Sequence, residues 1–241
     1  MTPIDLTPYK APALQFSGGK DSLACLYLLR DQLNTLAVYW LNAGETPPET
    51  LAVVDEVRKW IPHFIEVRSD VKAWRDTYGQ PTDLLPANSH FIGVLHGLGD
   101  VQLTNRFDCC YHNIMEPLHR RMVDDGVDAV IRGTKVCDGG KIPVEGMTPF
   151  YDVLLPIKHW THQQVFDYLA EVGAPKNAIY DHFHKISAPE CMGCTAWWGD
   201  GKSAYLRAKH PHLLDSHKNS LRSMRLALQS HLDELDAEIR S

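Results

Sequence analysis

Long apolar runs are missing from this chain of 241 residues. No stretch approaches the roughly 18 apolar residues that a membrane-spanning helix needs, so no membrane span and no membrane partner are expected. The opening segment, MTPIDLTPYKAPALQF, lacks a basic patch followed by an apolar one, so it does not read as a secretory signal and a cytoplasmic location is expected. Positive charge is also short: 24 Lys and Arg stand against 30 Asp and Glu, a formal charge of -6. Bulk charge therefore gives no support for nucleic-acid binding, although a local basic patch would suffice. Cysteines number six, and in a cytoplasmic setting they read as thiols or metal ligands rather than disulfides. Repeats, low-complexity segments, and helix-turn-helix, zinc-finger or RNA-binding signatures are all absent from the sequence.

Hydrophobic residues make up 44% of the chain, enough for a sizeable core. PALQF, residues 12–16, predicts a short buried strand, and SLACLYLLRDQL a helix with Leu23, Leu26, Leu29 and Leu33 on related faces. TLAVYWL and HFIEVRS predict further strands, and PPETLAVVDEVRKW between them a helix entered through its prolines. CYHNIMEPLHRRMVDDG reads as largely helical, with Pro117 limiting or bending its start. VDAVIRG and DVLLPI are extended, and WTHQQVFDYLAEVG is a helix with Thr161 near its cap. This alternation predicts an α/β fold, an open, mostly parallel sheet with helices on both faces. Residues 69–108 read as a substrate-facing excursion, and a terminal helix is expected from about Ser220. The expected division is a nucleotide and cysteine-bearing domain over 1–200 and a helical extension over 201–241.

FSGGKDS, residues 16–22, joins the first strand to the first helix. Gly18 and Gly19 permit tight backbone angles and close approach to an anion. The helix N-terminus adds oriented N–H donors. Lys20 offsets phosphate charge, and Ser17 and Ser22 donate hydroxyl hydrogen bonds. Asp21 is a poor phosphate ligand unaided; it caps the helix or positions Mg²⁺ through water. The pattern is neither GxxxxGK[ST] nor GxGxxG. The alternative is a plain glycine turn with a polar helix cap. Gly44 follows the second strand and would reach the same sheet edge.

SGGKDS resembles the pyrophosphatase-type loop of the adenine-nucleotide α-hydrolase superfamily. LNAGETPPETL resembles the stretch that follows the second strand there, with Asn42 in place of an aspartate and Pro48-Glu49-Thr50 retained. The resemblance implies ATP and Mg²⁺ at Ser17–Ser22, with Asn42, Gly44 and Glu49 at the nucleotide edge. It further implies release of pyrophosphate as a substrate becomes an adenylate.

Cys109 and Cys110 are adjacent, and Cys191 and Cys194 form a CxxC pair. Four thiolates can hold tetrahedral zinc or an iron–sulfur cluster, and ligand identity alone does not separate them. Redox disulfide chemistry at CxxC and buried structural thiols are the alternatives. CCYHNIMEPL, IRGTK, LLPIKHWTHQQVFDYL and ECMGCT resemble, in order, blocks of the sulfonucleotide reductases that carry a 4Fe–4S cluster. That resemblance implies Cys109, Cys110, Cys191 and Cys194 as cluster ligands. Those reductases also have a nucleophilic cysteine near the C-terminus, whereas this chain ends LDELDAEIRS with no cysteine after Cys194. Together with the SGGKDS loop, this departure favours the cluster-containing ATP pyrophosphatases of sulfur transfer, which act in DNA phosphorothioation and tRNA thiolation. An adenylyl-sulfate or phosphoadenylyl-sulfate reductase is the first alternative, and a non-catalytic nucleotide-binding Fe–S module the second.

Among other residues, Cys25 reads as a buried helix thiol. Cys137, beside Lys135 in a glycine-containing loop, is a candidate catalytic or sulfur-carrying thiol. Arg132, Gly133 and Lys135 at a strand end, and Lys158 in LLPIKHWT, are candidates for phosphate or sulfate contact, with Lys20, Asp21 and Lys135 nearest the chemistry. Arg106 could pair with an anion. His182, His184 and Glu190 are weaker candidates, and Trp197 and Trp198 read as packing residues. Lys202, Arg207, Lys209, Lys218, Arg222 and Arg225 give the C-terminal region a local basic bias, a candidate surface for DNA or tRNA. A cysteine desulfurase or another sulfur donor and a homodimer complete the expected partners.

Overall fold

A computed structural model describes residues 4–82, 103–138, 145–183 and 188–241. The chain divides into two compact units. The first comprises Met1–Asn42, Thr46–Ser69 and Glu116–Glu190, and the second Ala43–Glu45, Asp70–Met115 and Cys191–Ser241.

The first unit holds a sheet of six strands: β1 (Pro12–Gln15), β2 (Ala37–Asn42), β3 (Phe64–Arg68), then β6 (Ala129–Ile131), β7 (Gly146–Met147) and β8 (Asp152–Leu154). Their spatial order is β3-β2-β1-β6-β8-β7, parallel throughout except for the antiparallel β7–β8 pair. Side chains alternate between its faces. Leu14, Val38, Trp40 and Ile131 enter one buried cluster, with Leu23 and Leu26 of α1 (Lys20–Leu28) and Val53, Val54 and Val57 of α2 (Pro48–Arg58). Ala13, Tyr39, Val130 and Val153 enter the other, with Leu118 and Met122 one turn apart on α5 (Glu116–Asp124). The expected open parallel sheet covered by helices is therefore present. The chain runs outward from β1 to β3 and returns on the other side of β1 as β6, so strand order reverses between β1 and β6. In open α/β sheets that reversal opens a crevice at the carboxyl ends of the strands.

Several boundaries differ from the sequence reading. The first helix stops at Leu28, and Arg30–Gln32 tightens into a 3-10 turn. Pro117, by contrast, limits the start of its helix as expected, standing in the first turn of α5. A wide π-helical turn, Tyr111–Met115, precedes α5, just where proline withdraws a donor from the ladder. Thr161 caps α6 (His162–Glu171) as expected and adds a capping box: its side chain accepts from Gln164 N–H while the Gln164 side chain accepts from Thr161 N–H.

The second unit contains α3 (Val71–Tyr78), capped by Asp70 accepting from Ala73 N–H at 2.9 Å, and the parallel pair β4 (Gln80–Thr82) and β5 (Leu103–Asn105). α4 (Arg106–Cys110), α7 (Lys202–Lys209) and α8 (Pro211–Arg240) complete it. The terminal helix thus begins at Pro211 rather than near Ser220, because Pro211 occupies the first turn, where a missing N–H disrupts nothing. Part of the 69–108 excursion, residues 83–102, lies outside the described residues. Among the described residues, no helix is long and apolar enough to cross a membrane.

Candidate functional site

In the first unit, the β1–α1 loop has Gly18 at φ 78°, a left-handed conformation that suits glycine, and a Cβ there would stand 2.7 Å from the Thr50 methyl. Ser22 ties the loop: its hydroxyl accepts from Ser17 N–H and donates to the Gly19 carbonyl, both at 3.1 Å. The Ser17 hydroxyl accepts from Gly19 N–H at 3.3 Å. Asn177 donates to the Gly18 carbonyl at 3.3 Å and to the Thr50 hydroxyl at 3.0 Å, and the Tyr180 hydroxyl accepts from Lys20 N–H at 3.3 Å.

Two buried lysines converge on Asp21. Lys20 Nζ lies 2.7 Å from Asp21 Oδ2, and Lys135 Nζ lies 2.6 Å from Asp21 Oδ1 and 2.8 Å from Asp138 Oδ1. Burial lowers the Lys20 pKa despite the Asp21 charge. Burial also opposes the Lys135 charge, but the carboxylates of Asp138 and Asp21 outweigh it and raise its pKa. Gly133 permits the arrangement, since a Cβ there would stand 2.6 Å from the Asp21 carbonyl carbon. The Arg132 Nε is buried without a hydrogen-bond partner among the described residues, a donor suited to an anion.

The other expected residues make contacts of their own. Asn42 donates to Glu66 at 3.0 Å, and Lys158 pairs with Glu145 at 2.5 Å. Glu49 occupies the first turn of α2, and its neighbour Thr50 meets the loop. Gly44 belongs to the second unit. Cys137 is exposed and donates to the Trp160 carbonyl at 3.2 Å; its sulfur, an Asp138 carboxylate oxygen and a His162 ring nitrogen lie within 4.8 Å of one another. Burial, then Lys20 and Lys135, lower the His162 pKa. Cys25 is fully buried and burial pushes its thiol up, in line with a core role. Asp181 pairs with Lys176 at 2.9 Å, His182 is half-buried and Glu190 exposed, and His184 lies outside the described residues.

The second unit holds all four cysteines of the CC and CxxC pairs, and all are free thiols. Cys109 and Cys110 end α4, where Asn113 donates to the Cys109 carbonyl at 2.9 Å and reaches its sulfur at 3.8 Å. The CxxC turn is held by Glu45, whose backbone carbonyl accepts from Met192 N–H at 2.7 Å and whose carboxylate accepts from Gly193 N–H at 2.9 Å. The same carboxylate pairs with Arg75. A Cβ at Gly193 would meet the tips of the Glu45 and Arg75 side chains, which would have to shift to admit it. Lys202, 0% exposed, donates to the carbonyls of Cys191 and Cys194. Its burial corrects its inclusion in a basic surface; Arg207, Lys209, Arg222 and Arg225 remain exposed. Trp197 is half-buried and Trp198 is 53% exposed, so the second does not pack as expected. Arg106 lies over the Phe107 ring at 5.0 Å.

The electrostatics of this thiol group are lopsided. Burial, then the Cys194 charge, push the Cys109 thiol up to about 11, and Arg75 opposes them. Burial pushes Lys202 down to about 8 while Cys194 and Cys191 oppose it. Arg75 and Lys202 are both buried; Arg75 pairs with Glu45, Lys202 is held on the Cys191 and Cys194 carbonyls, and Arg75 Nη1 is buried without a hydrogen-bond partner among the described residues. Buried charge requires compensation. Thiolates, or an anionic thiolate-ligated metal group, supply it, so the donor set fits such a group.

Fold and first site together define an α/β protein with a glycine-bearing β1–α1 loop at the strand-order reversal. A family model, the phosphoadenosine phosphosulfate reductase domain, matches residues 11–196, and the chain belongs to that family. Curated relatives include a phosphoadenosine 5'-phosphosulfate reductase of Gloeobacter violaceus, 26% identical over 190 residues, 76% of this chain and 71% of that one. An adenosine 5'-phosphosulfate reductase of Deinococcus radiodurans is 25% identical over 174 residues, 69% of this chain and 59% of that one. Among solved structures, a U34-tRNA thiolase of Methanococcus maripaludis with its 4Fe–4S cluster shares 17% identity at TM-score 0.43, over 90% of this chain and 71% of that one. At that score the likeness is one of outline.

Proposed function

We propose that the chain is an ATP-dependent adenylating enzyme of sulfur transfer, of the ATP pyrophosphatase type. The observation that carries this reading is Asp21, a carboxylate set between Lys20 and Lys135 in the anion loop. With Asp138 it leaves the lysines without net positive charge for a bare sulfonucleotide. The same carboxylate suits a triphosphate that arrives with Mg²⁺, which would be held through Asp21 and would neutralise part of the phosphate charge. The backbone of Gly18 and Gly19 and the Ser17 and Ser22 hydroxyls position the phosphates, and Arg132 and Gly133 line the opposite strand end. Lys20 and Lys135 stabilise charge on the α-phosphoryl group as an acceptor oxygen attacks the phosphorus and pyrophosphate leaves. The terminal sulfur of a persulfide formed by a cysteine desulfurase then attacks the adenylated atom and displaces AMP, and a thiol reductant cleaves the resulting acceptor–donor disulfide to leave the thiolated acceptor. The acceptor class is a DNA backbone phosphate or a tRNA base carbonyl, approached through the exposed arginines and lysines of the C-terminal region. Cys109, Cys110, Cys191 and Cys194 would hold a 4Fe–4S cluster, which supplies electron transfer or sulfur binding when present.

A second reading, a sulfonucleotide reductase, draws support from the activity in the relatives' names and from the exposed Cys137 thiol beside His162. Anaerobic calorimetry on cluster-reconstituted protein separates the two. Preference for ATP with Mg²⁺, followed by pyrophosphate release with DNA or tRNA, is the expected result. Preference for adenylyl sulfate, with sulfite release under a thiol reductant, would overturn it. Nucleotide binding without turnover by either route would leave a nucleotide-sensing module.

A further inference from the structure

We propose that the α8 helices of two copies of this chain pair antiparallel, making a homodimer. From Leu232 to Arg240 every residue of α8 is exposed, although the helix continues unbroken. Three large apolar side chains stand in that stretch: Leu232 is 53%, Leu235 55% and Ile239 73% exposed. They continue a row begun by Leu221 and Leu228, both half-buried. Leu221, Leu228 and Leu235 recur every seventh residue, and Arg225, Leu232 and Ile239 follow each by four, which is the spacing of a coiled-coil seam. An amphipathic surface helix ordinarily buries such a row against its own domain; over 232–240 no described residue covers it.

Charge selects the occupant and its direction. Lys218, Arg222 and Arg225 outnumber Asp215 in the first half of the helix and make it basic, whereas Asp233, Glu234, Asp236 and Glu238 outnumber Arg240 in the second half and make it acidic. A parallel copy would lay like charge on like charge. An antiparallel copy lays each half on its opposite, so one surface is complementary to itself, as a two-fold interface requires. With the two-fold axis near Ser230, Leu228 faces Leu232 of the second copy, Leu221 faces its Ile239, and Arg222 flanks its Asp236. Arg225 meets Leu235 of the second copy through its methylene stem, its guanidinium reaching outward to the acidic half.

Sedimentation equilibrium on the full chain at micromolar concentration tests this. The wild type is expected as a dimer, and L232D/L235D as a monomer with unchanged circular dichroism. R222E/R225E should weaken the dimer, and adding D236R/E238R to that variant should restore it. A monomeric wild type, or a dimer indifferent to L232D/L235D, would overturn the proposal. Failure of the fourfold charge reversal to restore association would overturn the antiparallel register.

Discussion

At the scale of single residues, the proposed function makes Asp21 the side chain that should decide between ligands. Asp21→Asn keeps the side-chain shape and removes one charge between two lysines. Affinity for ATP with Mg²⁺ is expected to fall about tenfold, roughly 1.4 kcal/mol, while affinity for adenylyl sulfate rises. Titration calorimetry with and without Mg²⁺ reads both changes; equal losses for both ligands would mean that Asp21 only shapes the loop. Residues whose role follows from local chain chemistry could be found in the sequence. Gly18, Gly19 and Lys20 sit where a strand turns into a helix, and Lys135 is basic at a strand end. Asp138, Thr50, Asn177 and Tyr180 were missed because their roles come from contacts between distant segments. Arg75 was missed and Lys202 was assigned to a surface for another reason: a lysine or arginine in sequence gives no sign that it will be buried, and both normally stay exposed.

At the scale of elements, α6 shows how far local sequence reaches. Thr161 and Gln164 supply two reciprocal hydrogen bonds from residues three apart, so the start of this helix is encoded without help from the rest of the fold. Thr161→Ala should destabilise the chain by about 1 kcal/mol, measured by chemical denaturation, with nucleotide affinity unchanged. The strands were readable because β1, β2 and β6 are apolar enough for a doubly covered sheet. The start of α8 was misplaced because polar residues over 211–220 masked a helix whose support comes from α7 and from its own length. The π-helical turn before Pro117 had no signature beyond the proline itself.

At the scale of the whole molecule, stability should depend on acid through a group of the second unit. His217 is buried in α8, and neither ring nitrogen has a hydrogen-bond partner among the described residues. Burial, then the Lys202 charge, push its pKa from 6.5 down to about 4. The unfolded chain therefore binds the proton first as pH falls. This contribution is fully present above pH 6.5, declines below it and is gone below about 4, a loss of at most about 3 kcal/mol. His217→Leu should flatten denaturation midpoints measured across that interval; an unchanged slope would assign acid sensitivity to other groups.

Gly133 has a further consequence. Its missing side chain is the clearance through which the segment after β6 lies against the first turn of α1. Two stretches far apart in the chain are therefore not free to drift separately. A larger residue after β6 would survive only beside a compensating shift at Asp21, so variants of this protein should accumulate changes at these places together, as though the two formed a single heritable position.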